Sequence, residues 1–596
     1  MLFAMADRTL IQAFFETAGR RGSAIALRHR LDKTWVEQSW TDYAKAVRRF
    51  GRALMHSGIE AGEHIAILGP NRPEWVIAAV GAMAAGCSAA GIYGTSTADQ
   101  VAYIAAHAGC KLAVVQDHKQ LAKFRAEAAN VPALELFVLM KGEPKAADEL
   151  TFEQFLARGD EGDVAASDAA LDARWKALTP KSPSMLIYTS GTTGTPKAVI
   201  ITHENVVFAA ESTKAATGIS ENEQFLSYLP LSHIAEQVLT LHGPAVVGFT
   251  VSFCEDLNQL GEYLREVRPT VFFGVPRVWE KMESKMKEAG KSGSGFQKKV
   301  AAWARGVGLR TAQRRQDGKS PPMMYGLAKS LVFSKVRTRL GFDRCWLCIS
   351  GAAAISRSTL EFFFSLDLPI LEVYGMSEVT GPGTLATPTS FRIGSVGRVL
   401  PGAELKLAED GEILMRGPHV CAGYLKDPEA TAALINSDGW LHSGDIGEID
   451  KDGFLRVTDR KKDLFKTSGG KYIAPQPLEG LLKGIAGVGQ AVVVGEGRKY
   501  AAALLTLDPD ACKAEGRSSE EMAVDPTVKA RIDAEVAKIN ATLPPYETIK
   551  KIFILPNDFS VENGEMTPSL KIKRKVVNQR YAANIESLYE GSAGGD

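Results

Sequence analysis

Three short runs limit the fold more tightly than any other feature of this chain. Residues His64–Leu68, Leu112–Val115 and Val271–Gly274 are almost wholly apolar, and each is bounded by turn residues. Runs this short are strands rather than helices, and a strand with no polar alternation is covered on both faces. Between such runs lie helical patterns, as where Tyr43, Val47, Phe50 and Leu54 recur behind Thr41, the expected N-cap. Strands buried on both sides and joined by helices form parallel sheets, so the predicted class is α/β. Trp75 to Ala98 carries no charge, which raises a membrane span. Its Ala and Gly content and the interruption at Gly91–Gly94 instead predict a core helix followed by a buried strand.

A chain of 596 residues exceeds one hydrophobic core and implies about three or four structural units. A net charge of +1 supplies no global attraction for nucleic acid. Seven scattered cysteines, an odd number, fit a reducing compartment, and the N-terminus shows no basic start with an apolar stretch, so a cytoplasmic location is expected. Cys345 and Cys348 have metal or redox spacing, but no second pair answers them, and their apolar surroundings predict buried strand cysteines. Residues 143–172 are polar and acidic and are expected to form a surface excursion. Residues 281–340 hold fifteen Lys and Arg against Glu283, Glu288 and Asp317. They are either a solvated helical insertion or a surface for anionic lipid, which would place the protein peripherally at a membrane.

The chemistry is concentrated first in the stretch from Tyr188 to Lys197. Thr189, Ser190, Gly191, Thr192, Thr193 and Gly194 follow an apolar run and precede Lys197. Backbone N–H groups, hydroxyls and glycine freedom at such a loop can wrap phosphate oxygens, and the lysine adds positive charge. Pro196 and Ala198 flank Lys197, so this is not the Walker pattern, which needs Gly before the lysine and a hydroxyl residue after it.

The loop resembles the phosphate-binding loop of the adenylate-forming superfamily, which comprises acyl-CoA synthetases, luciferases and peptide-synthetase adenylation domains. Further segments match in the same order, over roughly residues 35–580. The resemblance implies that Gly351, Ala352 and Ala353 end a strand at the adenine pocket. It implies that Tyr374 stacks on adenine beside Gly375, Met376 and Ser377, and that Glu378 holds Mg²⁺ with Thr189. Asp445 and Arg460 would bind the ribose, and Lys571 would be the adenylation lysine. Lys462 would mark a hinge, and Ser468, Gly469 and Gly470 would line the path of CoA after a domain swing. The implied organisation is a large N-terminal AMP-binding domain over 1–459, with parallel-sheet subdomains and a β-rich subdomain. A hinge at 459–464 and a small mobile α+β C-terminal domain over 465–596 follow.

Residues 229–237 and 273–281 resemble long-chain fatty-acid–CoA ligases, and 374–382 together with 229–235 is most similar to the bubblegum-type branch. This implies ATP, CoA and a long-chain fatty acid as substrates, with His233 near the acyl carbonyl. Gln237 departs from an arginine common in long-chain enzymes, and Leu570 replaces the usual glycine before the lysine, a change the bubblegum branch shares. A fatty acyl-AMP ligase serving a carrier protein, a luciferase-like oxygenase and a non-catalytic lipid-binding protein are the competing readings. The last is disfavoured because Glu378, Asp445, Arg460 and Lys571 are all present.

Overall fold

The computed structural model describes residues 8–189, 195–567 and 571–590. The three apolar runs are strands with the predicted boundaries. His64–Leu68 and Leu112–Val115 sit in a sheet ordered Glu149–Thr151, Leu136–Leu139, Leu112–Val115, His64–Leu68, Ser88–Ile92, Pro183–Thr189, Lys197–Thr202. Every neighbouring pair in it is parallel except the last, a hairpin that aligns Thr189 with Lys197. Val271–Gly274 lies inside a second large sheet, parallel to Gln224–Ser227 and Leu347–Ser350, with Ile370–Met376 next in line. The uncharged stretch from Trp75 resolves into the buried helix Pro73–Ala84 and the buried strand Ser88–Ile92, as expected. Among the described residues no helix is long and apolar enough to cross a membrane.

A four-stranded antiparallel sheet runs from Glu404–Leu407 through Glu412–Arg416 and Leu441–Ile449 to Leu455–Arg460. Beyond it, Val488–Val494, Ala501–Leu507 and Ile549–Ile554 form a separate small sheet with its own buried core. Parallel sheets in a large N-terminal part and a smaller α+β part after them give the predicted class.

Two local expectations need correction. The helix Trp40–His56 is capped by Ser39, not Thr41: the Ser39 side chain accepts from the Asp42 N–H, and Asp42 bonds back to the Ser39 N–H. That reciprocal box satisfies two N–H groups that Thr41, already inside the first turn, could not reach. Residues 143–172 are not an excursion. They supply the sheet-edge strand Glu149–Thr151 and two helices, Phe152–Arg158 and Val164–Lys176, with Phe152, Phe155, Leu156 and Leu171 buried. Their acidic residues face arginines of the helix Trp40–His56. The buried Arg52 reaches Asp160 at 2.8 Å and Asp168 at 2.7 Å, and Arg48 reaches Asp172 at 2.7 Å. An acidic stretch looks solvated until its cationic partners, about 110 residues upstream, are seen.

All seven cysteines are buried and none is in a disulfide. Cys348 lies on the strand Leu347–Ser350, and its sulfur is 3.4 Å from that of Cys345. The basic stretch is helical: Pro276–Lys291, Gly295–Gln316, then a continuous run from Tyr325 to Leu340 with a π turn at Lys329–Phe333.

Candidate functional site

The carboxyl ends of the strands Leu347–Ser350 and Ile370–Met376 open onto one continuous cleft of about 2110 Å³. Loops at the carboxyl ends of parallel strands are where such sheets place ligands. Gly351 follows the first strand and is buried, and a Cβ there would lie 2.5 Å from Cγ1 of Val373. The glycine therefore lets the two strand ends close up. Ala352, next along, holds φ +68°, a left-handed conformation that costs a non-glycine residue of order 1 kcal/mol or more. It lines the cleft with Ala353, and Tyr374, Gly375, Met376 and Ser377 form the adjoining wall.

Tyr374 is held from across the cleft. Its hydroxyl donates to Oδ2 of Asp445 at 2.7 Å, and burial beside that carboxylate pushes the phenol well up. Arg460 reaches Oδ1 of the same carboxylate at 3.2 Å. The pair is set by register, because Asp445 and Arg460 face each other on neighbouring antiparallel strands. Glu378 is buried in the turn after Ile370–Met376 and accepts from the Tyr424 hydroxyl at 2.8 Å. Thr189 and Lys197 line the cleft from the hairpin of the other sheet. Lys197 lies 3.4 Å from Asp427 and its ammonium stands 5.0 Å from the centre of the Tyr424 ring. Ser190, Gly191, Thr192, Thr193 and Gly194 lie outside the described residues.

His233 lines the same cleft at the start of the helix Ile234–Gln237. Its Nδ1 accepts from the Ala235 N–H at 3.2 Å, so a neutral ring carries its proton on Nε2. Loss of water around the ring, then the charge of Lys571, lower its pKa to about 4, which keeps it neutral at ordinary pH. Gln237 is buried and donates to the Leu231 carbonyl at 2.9 Å, tying the helix to the loop before it.

Lys571 enters from the C-terminal part. Its N–H donates to the Thr567 hydroxyl at 3.0 Å and its carbonyl accepts from the Thr567 N–H at 2.7 Å. Enclosure lowers its pKa to about 8; the charge of Arg460 pushes the same way, and Asp445 and Glu378 oppose it. Lys462 also lines the cleft and is lowered, by loss of hydration first and then by Arg460. Lys571, Arg460 and Lys462 thus stand together at this end of the cleft opposite Asp445 and Glu378, and the loss of hydration there favours an anionic ligand that restores partners to the ammonium groups.

Ser468, Gly469 and Gly470 are not brought to this cleft. They are exposed in the turn joining Phe465–Lys466 to Tyr472–Ile473, where the Ser468 N–H donates to the Arg498 carbonyl at 2.9 Å. Sequence reasoning missed Tyr424 and Asp427, and took Asp459 only as the start of the hinge. Tyr424 reaches Glu378 because the Cys421 N–H donates to the Glu378 carbonyl and Gly423 accepts from Ile200 of the distant hairpin, and no periodicity signals either contact. Asp459 is buried where the four-stranded sheet ends, accepting from the N–H groups of Arg460 at 2.6 Å and Gln476 at 3.1 Å.

Fold and cleft together have the form of an adenylate-forming enzyme. The adenylation domain of a carboxylate reductase from Mycobacterium chelonae superposes with a TM-score of 0.75 at 21% identity, covering 98% of this chain and 92% of that one. An anthranilate CoA ligase with bound anthranoyl-AMP superposes at 0.72 and 18% identity, over 97% and 98%. The profile described as AMP-binding enzyme matches residues 14–425, and that of the AMP-binding enzyme C-terminal domain matches 462–593. The chain belongs to the AMP-binding enzyme family. Its relatives include the long-chain-fatty-acid–CoA ligase ACSBG2 of Xenopus laevis, 37% identical over 98% of this chain and 84% of the relative. The human ACSBG1 of the same description is 34% identical over 98% and 85%. The bubblegum-type resemblance of residues 374–382 is thereby borne out.

Proposed function

We propose that this protein is an ATP-dependent long-chain fatty-acid–CoA ligase, which converts ATP, fatty acid and CoA to acyl-CoA, AMP and diphosphate through an acyl adenylate. The observation that carries the reading is the meeting of Lys571 with Arg460, Asp445, Tyr374, Glu378 and His233 around one cleft. A family of long-chain-fatty-acid–CoA ligases similar over nearly the whole chain supports the substrate class.

A carboxylate is a poor acyl donor because attack on it must expel a strongly basic oxygen. Transfer to AMP supplies a good leaving group, but it brings one anion onto another at the α-phosphorus. Lys571 answers that problem. Burial leaves its ammonium poorly hydrated, and the reacting carboxylate and phosphate oxygens provide negative charge beside it as the in-line transition state forms. His233, neutral with its proton on Nε2, can donate to the acyl oxygen without adding charge. Asp445 accepts ribose hydroxyls beside Arg460, and Tyr374 offers a ring face to adenine. Lys197 and the loop before it steady the departing diphosphate.

Among the described residues no group of three or more His, Cys, Asp or Glu could hold a metal ion. The buried carboxylate of Glu378 and the Thr189 hydroxyl both line the cleft, and such a sparse oxygen set suits Mg²⁺, which takes few protein oxygens and completes its shell with phosphates and water. Glu378 and Thr189 would hold it, and when bound it screens phosphate charge.

Thioester formation requires the CoA thiol where Lys571 stands. We assign the rearrangement to residues 459–464, with Lys462 as the turning point between the part ending at 459 and the part starting at 465. A swing there would withdraw Lys571 and carry Ser468, Gly469 and Gly470 to the cleft, where absent side chains leave room for a narrow thiol-bearing arm. Diphosphate release measured across acids of increasing length, with and without CoA, tests the whole reading. Release with long acids and acyl-CoA only in the presence of CoA is expected. No release with any acid would end it, and adenylate that never passes to CoA would point to a carrier protein.

A further inference from the structure

The helical run from Tyr325 to Leu340 packs one side against the helix Gly295–Gln316, burying Ala304, Val307, Ala328 and Phe333. Its other side presents apolar groups to solvent. Met323 is 96% exposed, Leu327 48% and Leu331 46%. Leu327 and Leu331 are four apart, about one turn, and so share one side of the run; Met323 lies in the turn just before it, and the exposed Lys335 and Arg339 follow at the same spacing. Lys329, also exposed, flanks the stripe. Among the described residues no ion pair holds Lys329, Lys335 or Arg339. Single exposed apolar residues are ordinary, but a row of large ones continued by unpaired cations is not.

We propose that this face is a docking surface for an anionic lipid bilayer, with Met323, Leu327 and Leu331 entering the acyl boundary and Lys329, Lys335 and Arg339 meeting the headgroups. Charge selects the partner. Of the fifteen Lys and Arg over 281–340, Lys281, Lys287, Arg315 and Lys319 are paired with Asp510, Glu283, Asp367 and Asp317, whereas no ion pair among the described residues holds the three beside the apolar groups, so positive charge remains at this face. A protein partner would have to be both apolar and strongly acidic, whereas a bilayer rich in anionic lipid offers both properties in one surface. The purpose of docking rests on the proposed function: a long-chain acid partitions into bilayers, so an enzyme using it gains by working at that surface.

The test is flotation of the full chain, without substrates, on vesicles of phosphatidylcholine with and without 30% phosphatidylglycerol. Binding is expected only with the anionic lipid and should fade with salt, as the Debye length falls from about 10 Å at 0.1 M to about 3 Å at 1 M. Leu327→Ser with Leu331→Ser keeps every cation and should weaken the partition by about tenfold or more. Lys329→Gln with Lys335→Gln and Arg339→Gln should abolish the preference for anionic lipid. Failure of the parent to float, or unchanged flotation of either variant, overturns the proposal. A change in sedimentation coefficient of the leucine variant without vesicle binding would also overturn it, in favour of contact between two copies. Diphosphate release with a dissolved medium-chain acid should be equal in parent and variants. Its absence in the parent would count against the ligase reading and leave the flotation result standing.

Discussion

Raising the pH past 8 should shut down adenylation while leaving thioester formation running. Burial lowers the pKa of Lys571 from its ordinary 10.5 to about 8, a net disfavour of roughly 3 kcal/mol for the ammonium. One pH unit above that value only about a tenth of the free enzyme keeps the charge. Because kcat/KM reports ionisation of the free enzyme, kcat/KM for diphosphate release should drop about tenfold between pH 7.5 and 9. Conversion of supplied acyl-AMP to acyl-CoA should not follow that fall, since the proposed swing withdraws Lys571 in that step and the CoA thiolate becomes more abundant. Lys571→Ala should cost diphosphate release a factor of about 10²–10³, the scale of one lost transition-state charge partner, and flatten the residual profile. Lys571→Arg stays charged throughout and should lose the alkaline limb whatever its absolute rate. The same burial has a stability consequence. Below pH 8 the folded chain carries the full penalty of an enclosed ammonium. Between about 8 and 10.5 the unfolded chain binds a proton that the folded one has released, so stability rises with pH in that window. Lys571→Met should therefore stabilise at pH 7 and not at pH 10.5 by thermal melting. A parent profile flat to pH 9.5, or a limb that survives in Lys571→Arg, would refute the reasoning.

Lys462→Pro fixes a backbone torsion at the turn, and single-turnover assays should show acyl-AMP formed at near the parent rate but passed to CoA much more slowly; normal turnover with CoA would move the hinge elsewhere. Asp445→Asn leaves Tyr374 an acceptor but removes the charge that pairs with Arg460. Titration of ATP binding should show a loss of about 1–3 kcal/mol, and unchanged affinity would argue against a ribose contact. Arg277 reaches Asp508 at 3.2 Å and Lys281 reaches Asp510 at 3.3 Å, both pairs joining the helix Pro276–Lys291 to the C-terminal part. Replacing both aspartates by Asn should shift the balance away from the arrangement that holds Lys571 in the cleft. Each such pair is worth up to about 1 kcal/mol, so diphosphate release should slow a few-fold without a matching loss in the acyl-AMP to acyl-CoA step.

The class of fold and the strings that build the cleft were legible in the sequence, because both are written locally. Apolar runs buried on two faces announce parallel strands within four or five residues, and the Lys571, Asp445 and Tyr374–Glu378 segments carry their resemblance in contiguous stretches. What the sequence could not show is which of those stretches meet and what balances them. Thr41 read as the cap until the backbone showed Ser39 and Asp42 answering each other. The acidic residues at 160–172 read as solvated until folding set them against Arg48 and Arg52. Tyr424 carries no pattern of its own, yet chain crossing brings it to Glu378 and Lys197. The lowered pKa of Lys571 is likewise a property of enclosure and of Arg460 rather than of its neighbours along the chain. Hydrophobic periodicity acts over a few residues and is spelled out along the chain. Charge pairing and desolvation depend on distance in space, which only the packing of remote segments sets.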